Sequence, residues 1–220
     1  MRFLSLFLFV FCLNFLPHQS KGAEKYKAGD KLFVAPTKGL NLRKSPDSQS
    51  AVLAKLDYNT QVTIAEDASP RKSLQIPVTD FAGGKLNLQG HWVKVSTGQA
   101  MGYVFDGMLS KYKGLALGSY EEDAWLVSLF GKPTLKTSKK SLTAQGGEID
   151  FEIEEKTYPR GLVFHSTWGD GCGSYEYTFS ISYNEAYWFI ERMMVGADAA
   201  DDIKIKKEKG NTVFSFSSCT

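Results

Sequence analysis

Histidine and cysteine are the scarce reactive side chains of this 220-residue chain, three of each. Beyond the N-terminal apolar run they come closest together in the stretch His165-Ser-Thr-Trp-Gly-Asp-Gly-Cys172, which also carries Asp170. A base beside a hydroxyl or thiol, oriented by a carboxylate, is the arrangement of nucleophilic acyl transfer. Here the spacing opposes it. His165 and Ser166 are neighbours on an apparent strand, where successive side chains point to opposite faces. Cys172 is better explained by pairing with Cys219. The chain has no GxSxG, no HExxH and no phosphate-cradling glycine loop. Asp198, Asp201 and Asp202 offer oxygens to calcium, but DAADD lacks the glycine and the spacing of a calcium loop. We therefore expect no catalysis, no metal and no cofactor. A hydrolase built on His165 with Asp170 and either Ser166 or Cys172 is the alternative.

The elements that would position these groups begin after an export signal. Arg2 is followed by a Leu- and Phe-rich run from Phe3 to Leu16 and by the polar, helix-breaking stretch Pro17 to Ala23. That order is a secretory signal peptide, with small residues placing cleavage after Gly22. The run is shorter than the ~20 apolar residues that span a bilayer. Cys12 follows the bulky Phe11 inside the run, so we read it as removed rather than lipidated. Removing residues 1–22 takes Arg2 and Lys21, and no acid, from 26 basic and 24 acidic side chains. The balanced remainder lacks the basic surplus that a nucleic-acid binder needs. Nothing beyond the signal is apolar and long enough to span a membrane. The remaining cysteines, Cys172 and Cys219, form an even pair in an exported chain and are read as a disulfide. Closing that loop is worth ~4 kcal/mol on the chain-entropy view.

Residues 27–113 read as a first, β-rich domain. Lys31 to Ala35 is a strand. Leu40 and Leu42 alternate with Asn41 and Arg43, the period of a half-buried strand. Ser45-Pro46-Asp47-Ser48 is a turn. Val52 to Leu56 resumes the strand pattern, Asp57-Tyr58-Asn59 turns again, and Gln61 to Ala65 alternates. His91–Ser96 and Gly102–Phe105 follow, closed by an Asp106-Gly107 corner.

The pieces LNLRKSPDSQSAVLAKL, QVTI, HWVKV and GYVFDGMLS occur in this order, and together they resemble a bacterial SH3 domain. The resemblance implies a small β-barrel used for binding, with Val104 in its core and Gly102 letting two strands approach. Family members attached to cell-wall enzymes bind peptidoglycan peptides through residues beside the barrel. The aromatic candidates here are Tyr58, Phe81, Trp92, Tyr103 and Phe105, although a barrel this small also needs Trp92 and Phe105 as filling. The departure is the long Glu66–Gly90 insertion, whose apolar residues argue for a packed flap; folded over the barrel, it would reshape the groove the family uses. Asp106 is assigned to the turn.

Residues 114–220 read as a second domain. Gly114 to Gly118 is a small, flexible joint. Ser119 and Glu122 match a capping box, and Trp125, Leu126, Leu129 and Phe130 form the stripe of one short helix stopped by Gly131 and Pro133. The rest alternates as strands: Ile149, Phe151 and Ile153; Tyr175, Tyr177, Phe179 and Ile181; Ile203 and Ile205; Phe214 and Phe216. Tyr183-Asn184-Glu185 reads as a hairpin turn and Tyr187 to Val195 as a strand. The acidic stripe Glu148–Glu154 and the basic stripe Lys204–Lys209 are expected to be neighbours. The fold class is thus mainly β: a small SH3-like β-barrel, then an antiparallel β-meander with one short α-helix. The function expected is a secreted or periplasmic, non-catalytic binding protein that engages a cell-wall peptide or an envelope protein. A purely structural interaction module is the third possibility.

Overall fold

The structure, a computed structural model, describes residues 26–67, 71, 73–79, 85–119, 121–144, 147–195 and 200–219. The leader with its cleavage point, Phe81 and Asp198 lie outside these residues.

The first half is built from β1 (Lys31–Val34), β2 (Leu40–Arg43), β3 (Val52–Leu56), β4 (Gln61–Ile64), β5 (Ser73–Thr79), β6 (Lys85–Ser96), β7 (Met101–Phe105) and β8 (Leu109–Ser110). A 3-10 turn, Asp106–Met108, separates the last two. The hydrogen-bonded order is β3-β2-β7-β6-β4-β1-β8, with β5 paired to β6. Period-2 alternation does its expected work: Leu32, Val34, Leu40, Leu42, Val62, Ile64, Val93, Val95 and Val104 face inward and form one core. A Cβ at Gly102 would fall 2.6 Å from the Arg43 carbonyl oxygen. Only glycine lets β7 come that close to β2.

The insertion is a hairpin arm. β5 runs antiparallel to the first part of β6, from Thr79 opposite Lys85 to Ser73 opposite His91. The second part of β6 returns to the barrel beside β7 and β4. Gly90 marks the crossing point, since a Cβ there would collide with Asp106 Oδ1 at 2.3 Å.

The second half begins with α1 (Glu122–Phe130), followed by β9 (Thr134–Ala144), β10 (Gly147–Tyr158), β11 (Leu162–Gly169) and β12 (Cys172–Phe179). Helix α2 (Tyr183–Met193) then leads to β13 (Asp201–Glu208) and β14 (Asn211–Cys219). The order is β13-β14-β12-β11-β10-β9, all antiparallel pairs. A four-stranded meander is therefore extended after α2 by a hairpin whose second strand joins β12. Cys172 and Cys219 are direct cross-strand partners and form the disulfide.

Several expectations give way here. Tyr183 to Met193 is a helix, not a turn and strand. Ser182 caps it, its Oγ accepting the Glu185 N–H, and Ala186, Phe189, Ile190 and Met193 form a stripe at helical spacing. At α1 no side chain caps the N-terminus. Ser119 instead accepts from the Glu121 N–H, and Glu122 accepts from the Tyr177 hydroxyl. The acidic and basic stripes are not neighbours, because β14, β12 and β11 lie between β10 and β13. The acids of β10 meet lysines of β9, through Lys139–Glu152 at 3.2 Å and Lys136–Glu155 at 3.1 Å. Finally, Ile149, Phe151 and Ile153 lie on the face opposite the α1–α2 core. The register pairs Ile153 with Thr167, while Tyr158 and its partner Leu162 are in that core.

Candidate functional site

Five aromatic positions were singled out by the sequence, and the structure gives them different work. Tyr58 turns toward the segment after the barrel, its hydroxyl donating to the Leu115 carbonyl at 3.0 Å. Burial pushes that phenol up to about 12. Beside it, Asn59 exchanges two hydrogen bonds with Gly114. Arg192 from α2 adds bonds to the Leu115 and Ala116 carbonyls. The expected flexible joint is thus tied down on both sides, and Tyr58 belongs to it.

Phe105 is 2% exposed and shares a core with Leu88, Tyr187 and Trp188. Leu74, Ile76, Val78 and Leu86 of the hairpin arm pack on the same cluster. The flap therefore packs against α2. Phe81 is outside the described residues. That leaves Trp92 and Tyr103, both half-buried on the outer face of the barrel. They reach this face because each alternates with a core residue, Val93 and Val104. Tyr103 is the cross-strand partner of Lys94 and of Arg43, and its phenol is raised first by burial and then by Asp67.

Trp92 stands in an open cleft of about 380 Å³. Leu40, Trp92, Phe105 and Met108 supply its apolar surface, and Lys38, Asn41, Arg43 and Lys55 its polar surface. The strand register accounts for this grouping. Asn41 and Lys55 are cross-strand partners on β2 and β3, while Trp92 and Phe105 are partners on β6 and β7. The Lys38 end comes from the β1–β2 connection and the Met108 end from the 3-10 turn.

Asp106 does serve the corner. Its Oδ1 accepts the His91 N–H at 2.6 Å, and His91 Nδ1 stands 3.5 Å from Oδ2. The carboxyl is 3% exposed. Burial pushes it up to about 6, against the pull of His91.

In the second half, a shallower depression of about 600 Å³ lies over the open sheet face at His165, Glu176, Lys204 and Ser215. The register sets these in a row across four strands. Ser166 alternates to the other face, Cys172 is held in the disulfide, and Asp170 sits in the exposed β11–β12 turn at φ 52°. The groups of the hydrolase alternative are not assembled into one constellation. Among the described residues no cluster of His, Cys, Asp or Glu has the arrangement of a metal site.

Sequence reasoning missed the residues that join the halves. They lie on α2, which presents two stripes. Ala186, Phe189 and Ile190 enter the aromatic core of the second sheet. The other stripe faces the barrel. Asn184 donates to the Gln89 carbonyl at 2.6 Å, Trp188 Nε1 to Gly107 O at 2.8 Å, and Tyr187 to Thr79 O at 3.3 Å. Glu191 Oε1 accepts from Thr37 at 2.7 Å. Glu185 is 1% exposed and accepts from the Ser110 hydroxyl, the Lys111 N–H and the Tyr26 hydroxyl. The signal available was Ser182-x-x-Glu185, the same capping pattern that was assigned to Ser119.

The antiparallel strands curl round one core in a path that stays open between β3 and β8, an SH3-like arrangement with an aromatic cleft on its outer surface. Residues 38–110 match the family model described as bacterial SH3 domain, and this part of the chain is a bacterial SH3 domain. Neither the curated proteins nor the solved structures contain a match to the chain.

Proposed function

We propose that the protein is an exported, non-catalytic binding protein that engages cell-envelope material, a peptidoglycan peptide or a protein partner, through its bacterial SH3 domain. One observation carries the reading. The domain leaves Trp92 accessible in a cleft on its outer face, while the opposite end of the same aromatic row is covered by α2. A rigid indole with one open face contributes large contact area at little entropic cost. Export is supported by the N-terminal run of the sequence and by the Cys172–Cys219 bond, which suits an oxidising compartment. Among the described residues no helix is long and apolar enough to cross a membrane.

The test is co-sedimentation of the full chain with purified peptidoglycan. Trp92→Ala is expected to lower the bound fraction at least tenfold. Tyr58→Phe, which removes a hydroxyl bonded within the joint and away from the cleft, is expected to bind as the unaltered chain does. Equal retention of the Trp92 variant would remove the cleft from the account.

A further inference from the structure

We infer that the Trp92 cleft takes a short peptide bearing free carboxylates. The inference rests on the reading above, that this face of the barrel is the binding face, and adds the chemistry of what it holds.

The argument is one of charge and shape. Lys38, Arg43 and Lys55 border the cleft, and among the described residues no aspartate or glutamate lines it. Among the described residues none of these three cations forms a salt bridge. Elsewhere in the chain lysines find acids readily, as Lys136, Lys139, Lys156 and Lys206 do. The chain is nearly balanced in charge, so three unneutralised cations around one indole form a local excess that the bulk composition conceals. Glu191 on α2 is a counter-charge within electrostatic reach of Lys38, and its Oε1 accepts from Thr37.

The three cations differ in what they can do. Arg43 is half-buried, and its Nη1 donates to the Ser50 carbonyl at 2.7 Å. That bond fixes the guanidinium plane and leaves its other N–H groups for an acceptor. A planar fork held in place matches a carboxylate, which it can bind through two parallel hydrogen bonds. Lys38 and Lys55 are exposed on flexible stems and act as point charges that tolerate several positions of a second acid. Between the cations lies an apolar floor of Leu40, Trp92 and Met108. A bare inorganic anion has nothing to place there, whereas a peptide lays a methyl or methylene group on the indole while its carboxylates reach the rim. A cleft of about 380 Å³ falls within the size of small-ligand pockets. Because the lysines are exposed, attraction is screened once charges are separated by more than a Debye length, about 8 Å at physiological salt.

The experiment is a titration of the full chain, followed by Trp92 resonance shifts. The probes are the tripeptide Ala-Glu-Ala with a free C-terminus, its uncharged counterpart Ala-Gln-Ala-amide, and inorganic phosphate. The acidic peptide is expected to bind at least tenfold more tightly than the amide, and to weaken at least fivefold from 50 to 500 mM salt. The double variant Lys38→Glu with Lys55→Glu, at exposed positions, should lose at least tenfold in affinity and keep its melting temperature. Equal binding of acid and amide, or an unaffected double variant, overturns the inference. Phosphate binding as tightly as the peptide overturns the peptide assignment. Co-sedimentation of the same variant with peptidoglycan separates the two claims. If it is retained as well as the unaltered chain, the charge inference falls and the envelope reading stands. If the unaltered chain is not retained but the tripeptide binds, the envelope reading falls and the cleft chemistry stands.

Discussion

At the scale of single residues, the most consequential group outside the cleft is Asp106. A carboxyl pushed up to about 6 by burial binds its proton more tightly folded than unfolded, where the usual value is 3.8. The resulting stability is present below about pH 4 and is lost as pH rises through about 6. Asp106→Asn keeps an oxygen for the His91 N–H and removes the titration. Unfolding free energies measured from pH 4 to 7 are therefore expected to show the unaltered chain losing up to about 3 kcal/mol relative to the variant. Parallel pH profiles would show that the carboxyl titrates normally. Asp106 was legible in the sequence as a turn residue, because a polar residue before glycine at a strand end has few other uses. Its burial was not, since that depends on the His91 backbone fifteen positions earlier. Gly102 and Val104 were legible through the resemblance to bacterial SH3 domains, and the structure has Gly102 close against β2 and Val104 in the core. Tyr58, Trp92 and Phe105 were indistinguishable by type, and only their contacts separate the joint, the cleft and the shared core.

At the scale of elements, α2 decides the arrangement. Its sequence suits a buried helix with two partners, since Ala186, Phe189, Ile190 and Met193 face one half, while Asn184, Tyr187, Trp188 and Glu191 face the other. The helical stripe was there to be read, but Tyr183-Asn184-Glu185 has the composition of a hairpin turn, which is why this stretch resembled a strand. The strands themselves were readable from period 2. Which face they bury was not: Ile149, Phe151 and Ile153 alternate cleanly yet turn away from the helices. At the helix start, Glu185 holds three donors of the barrel half. Glu185→Ala would take this acceptor from the buried Ser110 and Tyr26 hydroxyls, at about 1–3 kcal/mol each. Denaturant unfolding is expected to show a loss of at least ~3 kcal/mol for that variant and a smaller loss for Glu185→Gln, which keeps one acceptor oxygen. A loss below 1 kcal/mol for Glu185→Ala would mean that the helix start is not a joint.

At the scale of the whole molecule, the halves share a core as well as a chain. Leu88 and Phe105 of the barrel half pack with Tyr187 and Trp188 of α2, and the segment around Leu115 is bonded from both sides. Independent domains joined by a loose linker would unfold separately. Shared packing predicts one cooperative transition, with the Trp92 and Trp168 environments changing at the same denaturant concentration; two separated transitions would contradict it. Anchoring α2 across one part of the first sheet leaves Trp92 in the open cleft of the other part. The claim at the centre is that this face grips envelope material. It is tested most directly by labelling the four tryptophan side chains and adding soluble peptidoglycan fragments to the full chain. The account predicts that the Trp92 indole resonance moves in a saturable way while those of Trp125, Trp168 and Trp188 stay in place. A saturable shift confined to Trp168, or no shift at Trp92 at saturating fragment, would contradict it.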